Sequence, residues 1–254
     1  MVKRNGFRTL AIMALVVGLS LPGMDAWAQA RVLLNGNEYY GKSYGEWSAK
    51  WWKWAYSIPE KSNPMSDQTG EYCEKDQKGD VWFLAGIYEG LKDEDDFVVR
   101  DCTVPAGKAL FFPIVNLSWV TLPEDTEGED PRTWFQENEF GLRDLLAAII
   151  DGAYDLNCTV DAGSLAGDFS GMSIYRTFSP IFNVYMPGDS IDGSPKGKYG
   201  PCVDDGYYIM LAPLSEGKHK IEFTATLPFF DDTIFQHVIY NLNIVRRKGK
   251  HYHH

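Results

Sequence analysis

Histidine is scarce in this chain, and so is every spacing that would make it a catalyst or a metal centre. Five histidines occur in 254 residues, and three of them (His251, His253, His254) end the chain. His219 and His237 fall on segments that read as neighbouring strands, where only an accident of register would join them as a metal pair. No C-x-x-C spacing is present, which argues against a thiolate zinc site. No G-x-S-x-G elbow occurs, and Gly171-Met172-Ser173 fails that pattern. The acidic stretch 123–130 lacks the D-x-[DN]-x-[DN]-G series of a calcium loop and reads as a solvated connection. After the first thirty residues no apolar run is long enough to cross a bilayer. No repeat of 20–50 residues appears. Positive charge is also in deficit, with 24 Lys and Arg against 35 Asp and Glu. That excludes nucleic acid and anionic membrane surfaces as natural partners. No metal and no cofactor are expected.

The first thirty residues read as an export leader. Lys3, Arg4 and Arg8 precede the apolar run 9–21, and Ala28-Gln29-Ala30 forms a small-x-small cleavage site. Losing three basic residues and one acidic residue with this leader takes the formal charge from −11 to −13. Residues 31–254 are long enough for a single domain with a true core. Periplasmic or extracellular residence follows, and with it an oxidising compartment. Cys73, Cys102, Cys158 and Cys202 then read as two disulfides. The pairing expected is Cys73–Cys102 and Cys158–Cys202, because each pair flanks a segment that returns on itself.

The densest feature is Ser43 to Pro59, SYGEWSAKWWKWAYSIP, which holds four of the eight tryptophans. Ser43 with Glu46 is a capping box. Tyr44, Trp47, Trp51, Trp54 and Ile58 recur at three and four residues, which predicts one face of a helix over 43–58. Pro59 ends it by holding residue 58 extended. Trp52 and Tyr56 lie on the margin of this stripe and are expected to stay accessible. A second helix is predicted over 131–151, with Pro131 at its first position and Phe140, Leu142, Leu145, Leu146, Ile149 and Ile150 as its apolar side.

The remainder reads as strands. Residues 81–88 and 97–104 are expected to form a hairpin, and Pro113 marks a bulge or an edge in 109–115. Further strands are expected near 158–160, 173–178, 181–185, 206–214, 219–226 and 238–245, with a loop over 187–201. The fold class expected is mainly β (α+β), an antiparallel β-sandwich with two packed helices and stapled by disulfides.

The blocks GEWSAKWWKW (45–54), VWFLAG (81–86), CTVPAGKALFFPIVN (102–116), YRTFSP (175–180) and DGYYIMLAPLSEGKHKIEF (205–223) give the chain its likeness. It resembles a family of exported bacterial proteins without an established activity. The resemblance implies location and a shared fold, and no site carries over from it.

Candidate chemistry therefore rests on single residues. Glu46 beside Trp47, and Asp205 beside Tyr207 and Tyr208, are the carboxylates set among aromatics, and a glycan-acting hydrolase would use them as its pair. Each has a plainer role, Glu46 as a helix cap and Asp205 as a turn residue. Arg176 can hold a ligand carboxylate or pair with an internal aspartate, and the internal pair is expected. Trp52, Tyr56, Arg176 and Tyr207 form the expected ligand-binding set, suited to a glycan or another small ring that stacks on aromatics. Three classes of function stand: an exported binding protein, a secreted hydrolase, and a structural protein whose tryptophan face packs on a partner.

Overall fold

The computed structural model describes residues 30–164 and 174–246. The leader, the start of the strand expected at 173 and the terminal histidines lie outside the described residues. In chain order come α1 (Tyr44–Tyr56), β1 (Val81–Phe83), β2 (Val98–Pro105), β3 (Ala109–Val120), α2 (Pro131–Asp151), β4 (Tyr154–Val160) and β5 (Gly163–Ser164). They are followed by β6 (Arg176–Phe178), β7 (Phe182–Met186), β8 (Gly197–Leu211), β9 (Gly217–Phe229) and β10 (Asp232–Val245).

The capping box forms as read. The Ser43 hydroxyl accepts from the Glu46 N–H, and the Glu46 carboxylate accepts from the Ser43 N–H at 2.9 Å. These bonds satisfy two of the four backbone donors that a helix start leaves open. Of the thirteen residues of α1, only Glu46, Lys50 and Lys53 escape burial. The helix lies on the outer face of a sheet ordered β1-β3-β8-β6, with β7 also paired to β8. The inner face of that sheet packs on a second sheet, ordered β2-β10-β9-β4-β5. Alternation sorts the two interfaces: Val81 and Phe83 point to α1, whereas Trp82 and Leu84 point between the sheets.

The fold is mainly β, with two helices and two packed sheets, but the sheets are mixed rather than antiparallel. β1 runs parallel to β3, and β2 runs parallel to β10. The hairpin expected from 81–88 and 97–104 is absent, because its two halves belong to different sheets. Leu84 still donates to Phe111 O, but the chain then crosses layers. Ile87 donates to the Gln236 side chain and Leu91 to Phe235 O. Gly86 permits that crossing, since a Cβ there would lie 2.9 Å from Gln236 Oε1. β8 also starts at Gly197, inside the stretch read as a loop.

α2 keeps its expected bounds but not its expected face. Phe135, Leu142, Leu146 and Ile150 are buried, while Phe140 is 80% exposed and Leu145 38%. Seven, eleven and fifteen residues after Phe135 return to the same side of a helix, and Phe140 falls on the opposite side. The helix packs on Leu117, Trp119 and Val203, the far half of β3 and β8.

The Cys73–Cys102 disulfide forms, with Cα atoms 6.0 Å apart. The pairing of Cys158 with Cys202 is overturned: both are free and buried. Cys158 lies between the two sheets and Cys202 on the α1 side of the first, so a sheet stands between the thiols. Near the disulfide, Arg100 is only 1% exposed and its guanidinium donates to carbonyls of Asp67, Ala85 and Gly86 and to the Tyr240 hydroxyl. It therefore pins the crossing segment to both layers.

Candidate functional site

The residues singled out from the sequence fall into three separate places. Glu46 is solvated at the start of α1 and engaged with Ser43, which lowers its pKa below the usual carboxylate range. Asp205, Arg176 and Tyr207 come together on adjacent strands β6 and β8. Arg176 grips Asp205 bidentately, Nε to Oδ1 at 2.5 Å and Nη2 to Oδ2 at 2.8 Å, and its guanidinium lies 5.2 Å from the Tyr207 ring. Asp151 and the Ala147 carbonyl of α2 take two more donors. This is the internal pair expected, and it ties α2 to the first sheet. The two carboxylates of the hydrolase reading thus serve different structural partners.

The perturbed carboxylate is the neighbour, Asp204, which the sequence reading passed over. Strand alternation turns it towards α1, where it is 1% exposed. It accepts from the Ser48 hydroxyl at 2.9 Å and from the Tyr208 hydroxyl at 2.5 Å, and burial pushes its pKa up to about 6. Tyr208 in turn accepts from the Asn116 amide at 2.8 Å. No local pattern marks it, because the strand expected here begins at 206 and only the phase of β8 separates Asp204 from Asp205.

Asn116 leads to the third place. Trp52 and Tyr56 are each 6% exposed, so the expected accessibility is corrected: neither presents an open stacking face. They do stack on each other, with ring centres 5.2 Å apart and planes 22° from parallel, and together they form one wall of a cavity of about 320 Å³. The second wall is Leu227, Phe229 and Ile234 of the β9–β10 hairpin, and the crossing segment 86–89 closes one end. The floor is β3 from Pro113 to Ser118. The Tyr56 and Ser118 hydroxyls meet at 3.1 Å. The Trp52 indole N–H is buried without a hydrogen bond of good geometry, although the Tyr208 hydroxyl lies near it. At the mouth, burial together with the charges of Asp192 and Glu89 pushes Tyr88 up to about 12.

The cavity exists because β1 is short. It covers β3 only from Ala109 to Phe111, and among the described residues no strand pairs with β3 on that side beyond this point. The register with β8 shifts between Pro113 and Val115. Thr121 exchanges both backbone bonds with the Gly200-Pro201 segment of β8. By alternation Leu117 and Val115 also face β8, while Asn116 and Ser118 direct N–H and C=O to the open edge.

Two other features resemble sites without forming them. Ser215, His219 and Asp161 line up, Oγ to Nε2 at 3.2 Å and Nδ1 to Oδ2 at 2.6 Å. Yet Nε2 also lies 2.9 Å from the Ser215 carbonyl, and Asp161 accepts from the Lys220 N–H, so the trio clasps a turn. A larger hollow of about 640 Å³ lies open over Lys218, Lys220, Asn241 and Asn243 and has no aromatic wall. His219 and His237 are apart, His237 pairing instead with Glu222 at 3.0 Å. Among the described residues no cluster of His, Cys, Asp or Glu could hold a metal ion, and no helix is long and apolar enough to cross a membrane. No family model matches the chain, and no curated protein or solved structure does either.

Proposed function

We propose that this is an exported binding protein whose ligand places one flat ring in the cavity between the Trp52–Tyr56 pair and the β9–β10 hairpin. The observation that carries the reading is the cavity itself: an aromatic wall facing an aliphatic one, with a few polar groups on the floor. Its volume of about 320 Å³ is at the small end for ligand sites and suits a single ring. The polar floor is sparse. Asn116 Nδ2 is committed to Tyr208, Gln236 to the Ile87 backbone and the Ser118 hydroxyl to Tyr56, which leaves Asn116 Oδ1 and the remaining capacity of the Ser118–Tyr56 hydroxyl pair. That favours an aromatic ring with one or two polar substituents over a saccharide, whose many hydroxyls need many partners.

The test is a tryptophan-fluorescence titration of residues 31–254 with indole, p-cresol and a panel of soluble glycans. A saturable shift with an aromatic probe that is lost in both Trp52→Ala and Tyr56→Leu, each shown folded by circular dichroism, supports the reading. A flat response to every probe overturns it.

A further inference from the structure

The geometry points to an extended peptide as the ligand class: a strand that adds to the open edge of β3 and seats an aromatic side chain in the cavity. This inference rests on the binding reading above and specifies what carries the ring.

Three observations converge. The cavity floor runs from Pro113 to Ser118, which at 3.3–3.4 Å per residue is a groove about 17 Å long, the span of a five-residue strand. Along it Asn116 and Ser118 direct backbone donors and acceptors outward, and no strand among the described residues answers them. Pro113 has no N–H to offer, so the ladder begins past it. The walls, finally, are apolar on both sides of the groove. A strand laid there alternates its side chains, one towards Trp52 and Tyr56 and the next towards Leu227, Phe229 and Ile234. Pairing of this kind draws affinity from the main chain and selectivity from the pockets on either side.

Charge selects the flanks. Glu89 lines the groove, Asp192 acts with it on Tyr88, and β3 leads directly into the acidic segment Glu124, Asp125, Glu127, Glu129 and Asp130. The peptide that fits is therefore basic at its ends and apolar at its centre, with an aromatic residue among the central ones.

The test uses residues 31–254 and a library of fluorescein-labelled heptapeptides with lysine at both ends and the three central positions varied. Ser118→Pro removes one outward N–H without touching the bonds to β8, and Ser118→Ala controls for the lost hydroxyl. The result expected is a set of bound peptides with apolar residues at all three central positions, at least one aromatic. Their affinity falls about tenfold with Ser118→Pro and with N-methylation of alternate peptide amides, while Ser118→Ala binds nearly as well as the native chain. Peptide binding indifferent to both changes overturns the inference. So does an aromatic probe that binds when no peptide does, an outcome that leaves the cavity reading standing. Failure of peptides and aromatic probes together removes both. A concentration-dependent dimer abolished by Ser118→Pro assigns the edge to a second copy of the chain and likewise overturns it.

Discussion

Asp204 carries an energetic cost that a neutral residue would not. In the folded chain it titrates near 6, against 3.8 for an ordinary aspartate. Between those values the folded state binds a proton that the unfolded state has released. The contribution is therefore best below the lower value, declines as pH rises towards 6 and stays lost above it. A shift of about two units corresponds to roughly 3 kcal/mol. Asparagine can keep the Ser48 and Tyr208 bonds, though not every feature of the Ser179 contact: its amide would donate to the Ser48 hydroxyl, which can donate to the Gly45 carbonyl at 2.9 Å, and its oxygen would accept from Tyr208. Asp204→Asn is expected to be more stable than the native chain at pH 8, by up to about 3 kcal/mol, and to lack this part of the pH slope. Urea unfolding at pH 4.5 and pH 8 measures it, and a less stable variant at pH 8 contradicts the account. Residue roles of this kind were only half legible. Glu46 as a cap and Arg176 as an internal partner follow from local pattern, because their partners sit nearby or are chemically obligatory. Asp204 and Asp205 are adjacent, and only the strand's phase decides which of them is buried without a cation.

At the scale of elements, α1 was readable because its cap, stripe and stop all lie within seventeen residues. What the stripe packs against was not, since its partners come from β1, β3, β6, β7 and β8. Gly45 shows the difference. Within a helix alanine is favoured over glycine by about 1 kcal/mol. Here a Cβ on residue 45 would stand 2.4 Å from the Phe178 carbonyl oxygen, a backbone atom that cannot swing away. Gly45→Ala is expected to lower the melting temperature despite its better propensity, and an unchanged or higher value refutes the close approach of α1 to β6. Ser43→Ala, which removes the cap, should cost about 1 kcal/mol in chemical unfolding. The β elements were legible as strands but not in their pairing. Three residues of β1 pair parallel to a strand 28 positions later, and no local pattern encodes that.

For the whole molecule, the disulfide and Arg100 act on the same region from two sides. Cys73–Cys102 closes a loop of 29 residues, worth about 3–4 kcal/mol in the chain-entropy model, so reduction should lower the unfolding free energy extrapolated from urea by that amount and move the midpoint down in proportion. Arg100→Lys keeps the charge but cannot reach the three carbonyls and the tyrosine hydroxyl together, and it is expected to destabilise the fold by several kcal/mol. Arg100 holds the crossing segment at Ala85 and Gly86 against the second sheet, away from the continuation of β3, and that separation keeps the edge open. The sequence suggested disruption at Pro113, but the opening depends on where a distant segment leaves one sheet for the other.

The central claim is that this edge is open in the free protein. Amide hydrogen exchange at Val115, Asn116, Leu117 and Ser118, followed residue by residue by NMR on residues 31–254, tests it most directly. The account predicts slow exchange at Val115 and Leu117, which bond to β8, and fast exchange at Asn116 and Ser118 that slows when ligand is added. Equal and strong protection at all four amides in the free monomer would mean the edge is already covered, and the site would not exist.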